Sequence, residues 1–167
     1  MTVDCTDFLI NEPQPWEPLW FSHKFNGPGL RYEMGVCIQT GWIVWINGPY
    51  PCGEFPDLEI FQLSLAETLP AGELVETDEG YSGDHVRKPS DYEGRLEWRR
   101  MKKNAMARHE TLNGRLKQFN ILKARYRGDR NKHFLIVNAC ACIIQSKIME
   151  RRAVFNVEYK IIRETTW

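Results

Sequence analysis

A chain of 167 residues with 43% hydrophobic content is long enough for one domain around one buried core, and too short for two ordinary ones. Its longest apolar runs, such as 134–137, are far too short to cross a bilayer, and no basic segment followed by an apolar stretch stands near Met1, so a soluble, non-secreted chain with no membrane partner is expected. The zero net charge hides a separation: residues 1–98 carry 5 Lys/Arg against 17 Asp/Glu, residues 99–133 carry 12 against 2, and residues 134–167 carry 5 against 3. So basic a block points to a polyanion partner, or else to a helix neutralised by the acidic half. Five cysteines (Cys5, Cys37, Cys52, Cys140 and Cys142) form no C-x2-C pair, which argues against a zinc ribbon or redox pair and for reduced intracellular thiols.

In chain order, residues 3–10 are an apolar run interrupted by Asp4, Thr6 and Asp7, the pattern of a buried strand whose polar residues need a reason. Residues 12–29 are rich in Pro and Gly and are predicted to be a loop. Strands follow at 32–39 and 42–46, joined through Thr40 and Gly41 as a hairpin, so that the sheet begins with three antiparallel strands. Trp42 and Trp45 on this hairpin are expected in the core. Asp57 is a predicted N-cap for a helix over about 58–68, with Leu58, Phe61 and Leu65 on one face and Pro70 as the stop. Residues 74–81 are a predicted fourth strand with Asp78 near its end, and a short strand is expected around 85–88.

From about 99 to 119 the spacing of Ala105, His109, Leu112, Leu116 and Phe119 predicts an amphipathic helix, with Glu110 beside its apolar face. A second, strongly apolar helix is predicted over 134–149, and the alternation of Phe155, Val157, Tyr159 and Ile161 predicts a final strand. The expected class is α/β, a mixed sheet flanked by helices.

A carboxylate on one buried strand, a second near the end of another and a third on a helix facing them can converge on one point. Asp4, Asp78 and Glu110 fill these roles. Hard divalent cations take oxygen ligands of this kind and keep waters or phosphate oxygens in the remaining positions. Each residue also has a plainer reading: Asp4 as a solvated strand-end carboxylate, Asp78 as a turn residue ahead of Gly80, and Glu110 as a good helix former on a solvated face. Asp7 and Glu79 are the competitors if the strand register is shifted by a residue. His109 starts no H-E-x-x-H zinc motif, since position 113 is Asn, and it is expected to pack in the core.

Three ordered motifs carry a resemblance. The run Val3-Asp4-Cys5-Thr6 resembles the first catalytic strand of Harbinger-type transposases and their bacterial relatives. Thr77-Asp78-Glu79-Gly80-Tyr81-Ser82-Gly83 resembles their second, and residues 108–117, with Arg108, His109, Glu110, Thr111, Leu112, Asn113, Gly114, Arg115, Leu116 and Lys117, resemble the helix that carries the closing glutamate. The resemblance covers nearly the whole chain. It implies an RNase H-like fold, DNA strand cleavage and transfer of the DDE type, and two Mg2+ or Mn2+ ions on Asp4, Asp78 and Glu110. It also implies DNA as partner through Arg108, Asn113, Arg115 and Lys117, and a Myb-like accessory protein. Gly114 would allow close approach of backbone or substrate.

The run Arg99-Arg100-Met101-Lys102-Lys103 resembles a nuclear import signal and reads equally as the solvated start of a basic helix; a nuclear location is the expectation. In the resembled family a helical DNA-binding region precedes the catalytic strands, whereas three residues precede Asp4 here, so residues 1–167 are expected to form the catalytic domain alone. The alternative to a nuclease is a non-catalytic descendant that keeps the fold as a DNA-binding or protein-interaction module. The intact carboxylates favour the nuclease, because their mutual repulsion costs stability without metal.

Overall fold

The computed structural model describes residues 1–150 and 154–159. Its sheet is built on β1 (Thr2–Leu9), whose two edges differ. One edge pairs antiparallel along its full length with β3 (Gly27–Val36), which in turn pairs antiparallel with β4 (Ile43–Pro51) and with the two-residue β2 (Phe21–Ser22). The other edge is met parallel, at Thr2 and Glu76 only, by β5 (Val75–Glu76), and β6 (Val86–Arg87) pairs parallel beyond it. The sheet is therefore mixed, and its first long strands are antiparallel as the hairpin spacing predicted. The β3–β4 turn is closed by the Gly41 amide donating to the Cys37 carbonyl at 2.8 Å, and Gly41 takes φ +74°, which glycine tolerates without a Cβ clash.

Two layers cover the sheet because β1 and β3 alternate. Phe8, Leu30, Tyr32, Met34 and Val36 face one way and form the main core with α3 (Leu96–Leu116) and α5 (His133–Met149). Val3 and Val75 face the other way and pack with Phe61, Leu65 and Tyr81 under α1 (Asp57–Leu63) and α2 (Leu65–Thr68). On α3 the predicted stripe is observed: Ala105, His109, Leu112 and Leu116 are buried, while Phe119 lies just beyond the helix and leans on the core. A last short helix, α4 (Asn120–Lys123), leads to the segment that runs beside the end of β1 through Ile10 and Tyr126.

Several sequence expectations are corrected. The helix expected over 58–68 is broken at Ser64, whose hydroxyl bonds back to the Ile60 carbonyl at 2.5 Å, a competition that bends helices. Asp57 is not its N-cap: Pro56 takes that position, and the Asp57 carboxylate instead pairs with Arg31 Nη1 at 2.8 Å. The fourth strand stops at Glu76, so Asp78 lies past its end. Trp42 is exposed rather than in the core, whereas Trp45 packs on the α1 side and donates its indole N–H to the buried Glu33 at 2.7 Å. Residues 154–159 carry no strand, and Ile161 lies outside the described residues. No helix among the described residues is long and apolar enough to cross a membrane.

Candidate active site

Asp4 sits on the α3 face of β1, in line with Thr2, Thr6 and Phe8. It is half-buried, and its Oδ1 accepts the Cys5 amide at 2.8 Å. Burial pushes its pKa up to about 6; the carboxylates of Asp57 and Asp78 add to the rise, and Lys24 and the Cys5 amide oppose it. Asp78 follows β5 out of the sheet. Thr2 is opposite Glu76, and Asp78, two residues past Glu76, lies near enough for its charge to act on Asp4. The Asp78 side chain is exposed and accepts the Gly80 amide at 2.9 Å, so it also shapes the turn, as its plainer reading has it.

Glu110 projects from the exposed flank of α3. It shares with Asp78 the wall of an open cavity of about 550 Å³, whose rim carries Arg99, Arg100 and Lys103. The structure thus brings Asp78 and Glu110 to one cavity and Asp4 within electrostatic range of Asp78. Among the described residues no three His, Cys, Asp or Glu side chains converge closely enough to hold a metal ion as they stand. The donor set nevertheless suits one. All the candidate ligands are oxygens, and mutual repulsion at Asp4 is the electrostatic situation a divalent cation relieves. Asp4 and Asp78 would hold the ion, and Glu110 would reach across the cavity to it.

What holds the helix of Glu110 against the strand that leads to Asp78 is a buried network with no local sequence signature. Lys102 on α3 pairs with Glu76 on β5 at 2.9 Å, both side chains almost wholly buried, and also donates to the Arg87 carbonyl. The hydroxyls of Tyr92 and Tyr159 donate to the other Glu76 oxygen. Seven residues along α3, His109 is fully buried with its Nδ1 at 2.9 Å from the Thr2 hydroxyl, and burial lowers its pKa to about 4. His109 is therefore a neutral core histidine.

The residues expected on DNA separate into different environments. Lys117 is half-buried, its ammonium 5.8 Å from the centre of the Phe8 ring and 5.7 Å from that of Phe25; burial lowers its pKa, as does nearby Lys24. Asn113 is nearly buried with its Oδ1 unpartnered. Arg115 lines a different cavity, with Phe119 and Lys147. Arg108 is corrected: its guanidinium is buried and donates to the main-chain carbonyls of Cys37, Ile38 and Phe155, so it ties α3 to the β3–β4 turn and is not presented to a ligand. A Cβ at Gly114 would meet nothing within 4 Å, so packing within the protein does not require glycine there.

The competitors of Asp4 and Asp78 are otherwise engaged. Asp7 lies on the opposite face of β1, bound by Arg31 Nε at 2.8 Å and the Ser22 hydroxyl at 2.7 Å. Burial acts to raise its pKa, but these bonds win and hold it below the ordinary carboxylate value. Glu79 accepts from Ser90 at 3.1 Å in the exposed loop. Sequence reasoning missed Lys24, whose ammonium donates to the Cys5 carbonyl at 3.2 Å, and Asp57, whose field reaches Asp4.

Comparison of the chain with protein-family models, curated proteins and solved structures gives no match.

Proposed function

We propose that the chain is the catalytic domain of a DDE-type nuclease or transposase of the Harbinger kind, cutting and joining DNA strands at a site formed by Asp4, Asp78 and Glu110. The observation that carries this reading is that Asp78, just past the end of β5, comes near enough to Asp4 on neighbouring parallel β1 for their charges to interact, with Glu110 on the wall of the cavity that Asp78 lines. Support also comes from the strand arrangement. Three antiparallel strands with two more added parallel beside the first are compatible with an RNase H-like fold.

When bound on these carboxylates, two Mg2+ or Mn2+ ions would supply the charge that activates an attacking hydroxyl and stabilises the leaving oxygen at phosphorus. The chain's own contribution is to orient. The Cys5 amide fixes one Asp4 oxygen, the Gly80 amide fixes one Asp78 oxygen, and the Lys102–Glu76 pair sets α3 against β5. The basic rim of Arg99, Arg100 and Lys103 suits the phosphate backbone, whose neutralisation gives affinity without reading sequence. A nuclear location and a Myb-like partner belong to the same proposal through the family resemblance alone.

Thermal unfolding tests the reading, with and without Mn2+. Ion binding to the native chain stabilises it by about 2.7 kcal/mol when the ion stands at a hundred times its Kd. The gain is expected to shrink in Asp78→Asn and Asp4→Asn, alongside loss of Mn2+-dependent nicking of plasmid DNA. An equal thermal gain in parent and variants would mean that the ions act elsewhere and would end the assignment.

A further inference from the structure

We propose that Lys24 is a phosphate-binding residue of this site, gripping a non-bridging oxygen of a DNA phosphodiester beside Asp4 together with Lys117. The inference rests on the nuclease reading and adds to it a residue from outside the three motifs.

Lys24 belongs to the tight turn between β2 and β3, where the Phe25 amide donates to the Ser22 carbonyl at 3.3 Å and Asn26 takes φ +51°. The turn is exposed, yet the Lys24 side chain folds back onto β1 and donates to the carbonyl of Cys5, the residue after Asp4. Lys117 approaches from α3, its ammonium held between the rings of Phe8 and of Phe25, the residue next to Lys24. Two ammonium groups on separate elements thus stand by one carboxylate strand, near enough for their charges to act on each other.

They repel each other, and among the described residues neither forms an ion pair with Asp4 or any other carboxylate. An ammonium has three N–H donors, and Lys24 spends one on Cys5. A group that places anionic oxygen between the two lysines relieves the repulsion and takes charge-assisted hydrogen bonds from both. A phosphodiester has two such oxygens, and the rest of its backbone can run along the basic rim of the neighbouring cavity.

Fluorescence anisotropy of a labelled DNA duplex, titrated at several salt concentrations, is the test. It compares the parent with Lys24→Ala, Lys24→Arg and a charge-matched control on α5, Lys147→Ala. Lys24→Ala is expected to weaken binding severalfold and to reduce the slope of log K against log salt by about 0.9, the value for one phosphate contact. Lys24→Arg is expected to restore both, and Lys147→Ala to leave the slope unchanged. Mn2+-dependent nicking is followed in parallel. A slope in Lys24→Ala equal to that of the parent overturns the inference whether or not DNA is nicked, as does an equal loss in Lys147→Ala or a parent that binds no DNA. Loss of slope in Lys24→Ala without nicking by the parent supports Lys24 and defeats the nuclease reading instead.

Discussion

Two aspartates on β1, three residues apart and on opposite faces, have been given opposite fates by their neighbours. Asp7 is fully buried but held by Arg31 and Ser22, so its ionised form is favoured in the folded chain. Asp4 is only half-buried, has no ion-pair partner among the described residues, and is disfavoured in its ionised form. Depth of burial does not separate a structural carboxylate from one available for chemistry. The supply of a fixed counter-charge does, because desolvation that is offset makes a strut, whereas desolvation left standing keeps the ionised form disfavoured.

The largest way to break this contrast is to exchange the charges for amides. Asp7→Asn leaves the guanidinium of Arg31 short of its main partner and is expected to cost about 3–5 kcal/mol in urea unfolding. Asp4→Asn keeps the oxygen that accepts the Cys5 amide and removes an unfavourable charge, so without metal it is expected to be at least as stable as the parent at pH 7. Comparable losses in both would show that Asp4 is structural too.

The pH profile of the metal-free chain sharpens the comparison. The folded pKa of Asp4 is about 6 against an ordinary 3.8, so between these values the folded state binds more protons than the unfolded one. Stability should therefore fall as pH rises through this window, by up to about 3 kcal/mol for this group. Glu33, raised to about 7 by burial, acts in the same direction, so the difference between parent and Asp4→Asn isolates the contribution of Asp4. Asp7 runs the other way. Its contribution is present above the ordinary carboxylate value and is lost as pH falls through its lowered one. A difference curve flat from pH 4 to 6 would remove the strain assigned to Asp4.

The smallest effect extends the contrast to cations. Arg108 is spent on main-chain carbonyls, while the Lys117 ammonium lies against the rings of Phe8 and Phe25. Lys117→Ala should flatten the salt dependence of DNA binding by about 0.9 in log–log slope, and Arg108→Ala should leave the slope alone while lowering stability. Equal slopes in the two variants would erase the distinction.

The sequence carried the parts of this molecule that repeat locally. The apolar run of β1 broken by Asp4, Thr6 and Asp7, the stripe from Ala105 to Leu116 and the apolar run of α5 were legible because composition and spacing within a single element carry them. Asp4, Asp78 and Glu110 stand out in the sequence as candidates only through motifs. What was not legible depends on partners far apart in the chain. Nothing near Asp57 announces Arg31, nothing near Arg108 announces the carbonyls of Cys37 and Ile38, and the bond between Glu76 and Lys102 joins residues 26 positions apart. The strand ending before Asp78 was overread because the apolar and turn residues around it fit an extended segment, whereas its only strand partners lie at Val75 and Glu76.

The helix that bears Glu110 is fastened at three points on its inner side, by the Lys102 pair to β5, by the Arg108 bonds to the β3–β4 turn and by the His109 bond to β1. The last fastening is one residue from Glu110, and its histidine stays neutral throughout the physiological pH range. Sliding or tilting α3 would break buried bonds, so the backbone at Glu110 has little freedom to travel. On the proposed reading its exposed side chain would span the cavity by changing rotamer, a motion of picoseconds to nanoseconds for exposed residues rather than the microseconds to milliseconds of a shifting helix. Assembly of the three carboxylates would then never be the slow step, and the pace of any reaction here would be set by the arrival and departure of the nucleic acid or by the chemistry itself.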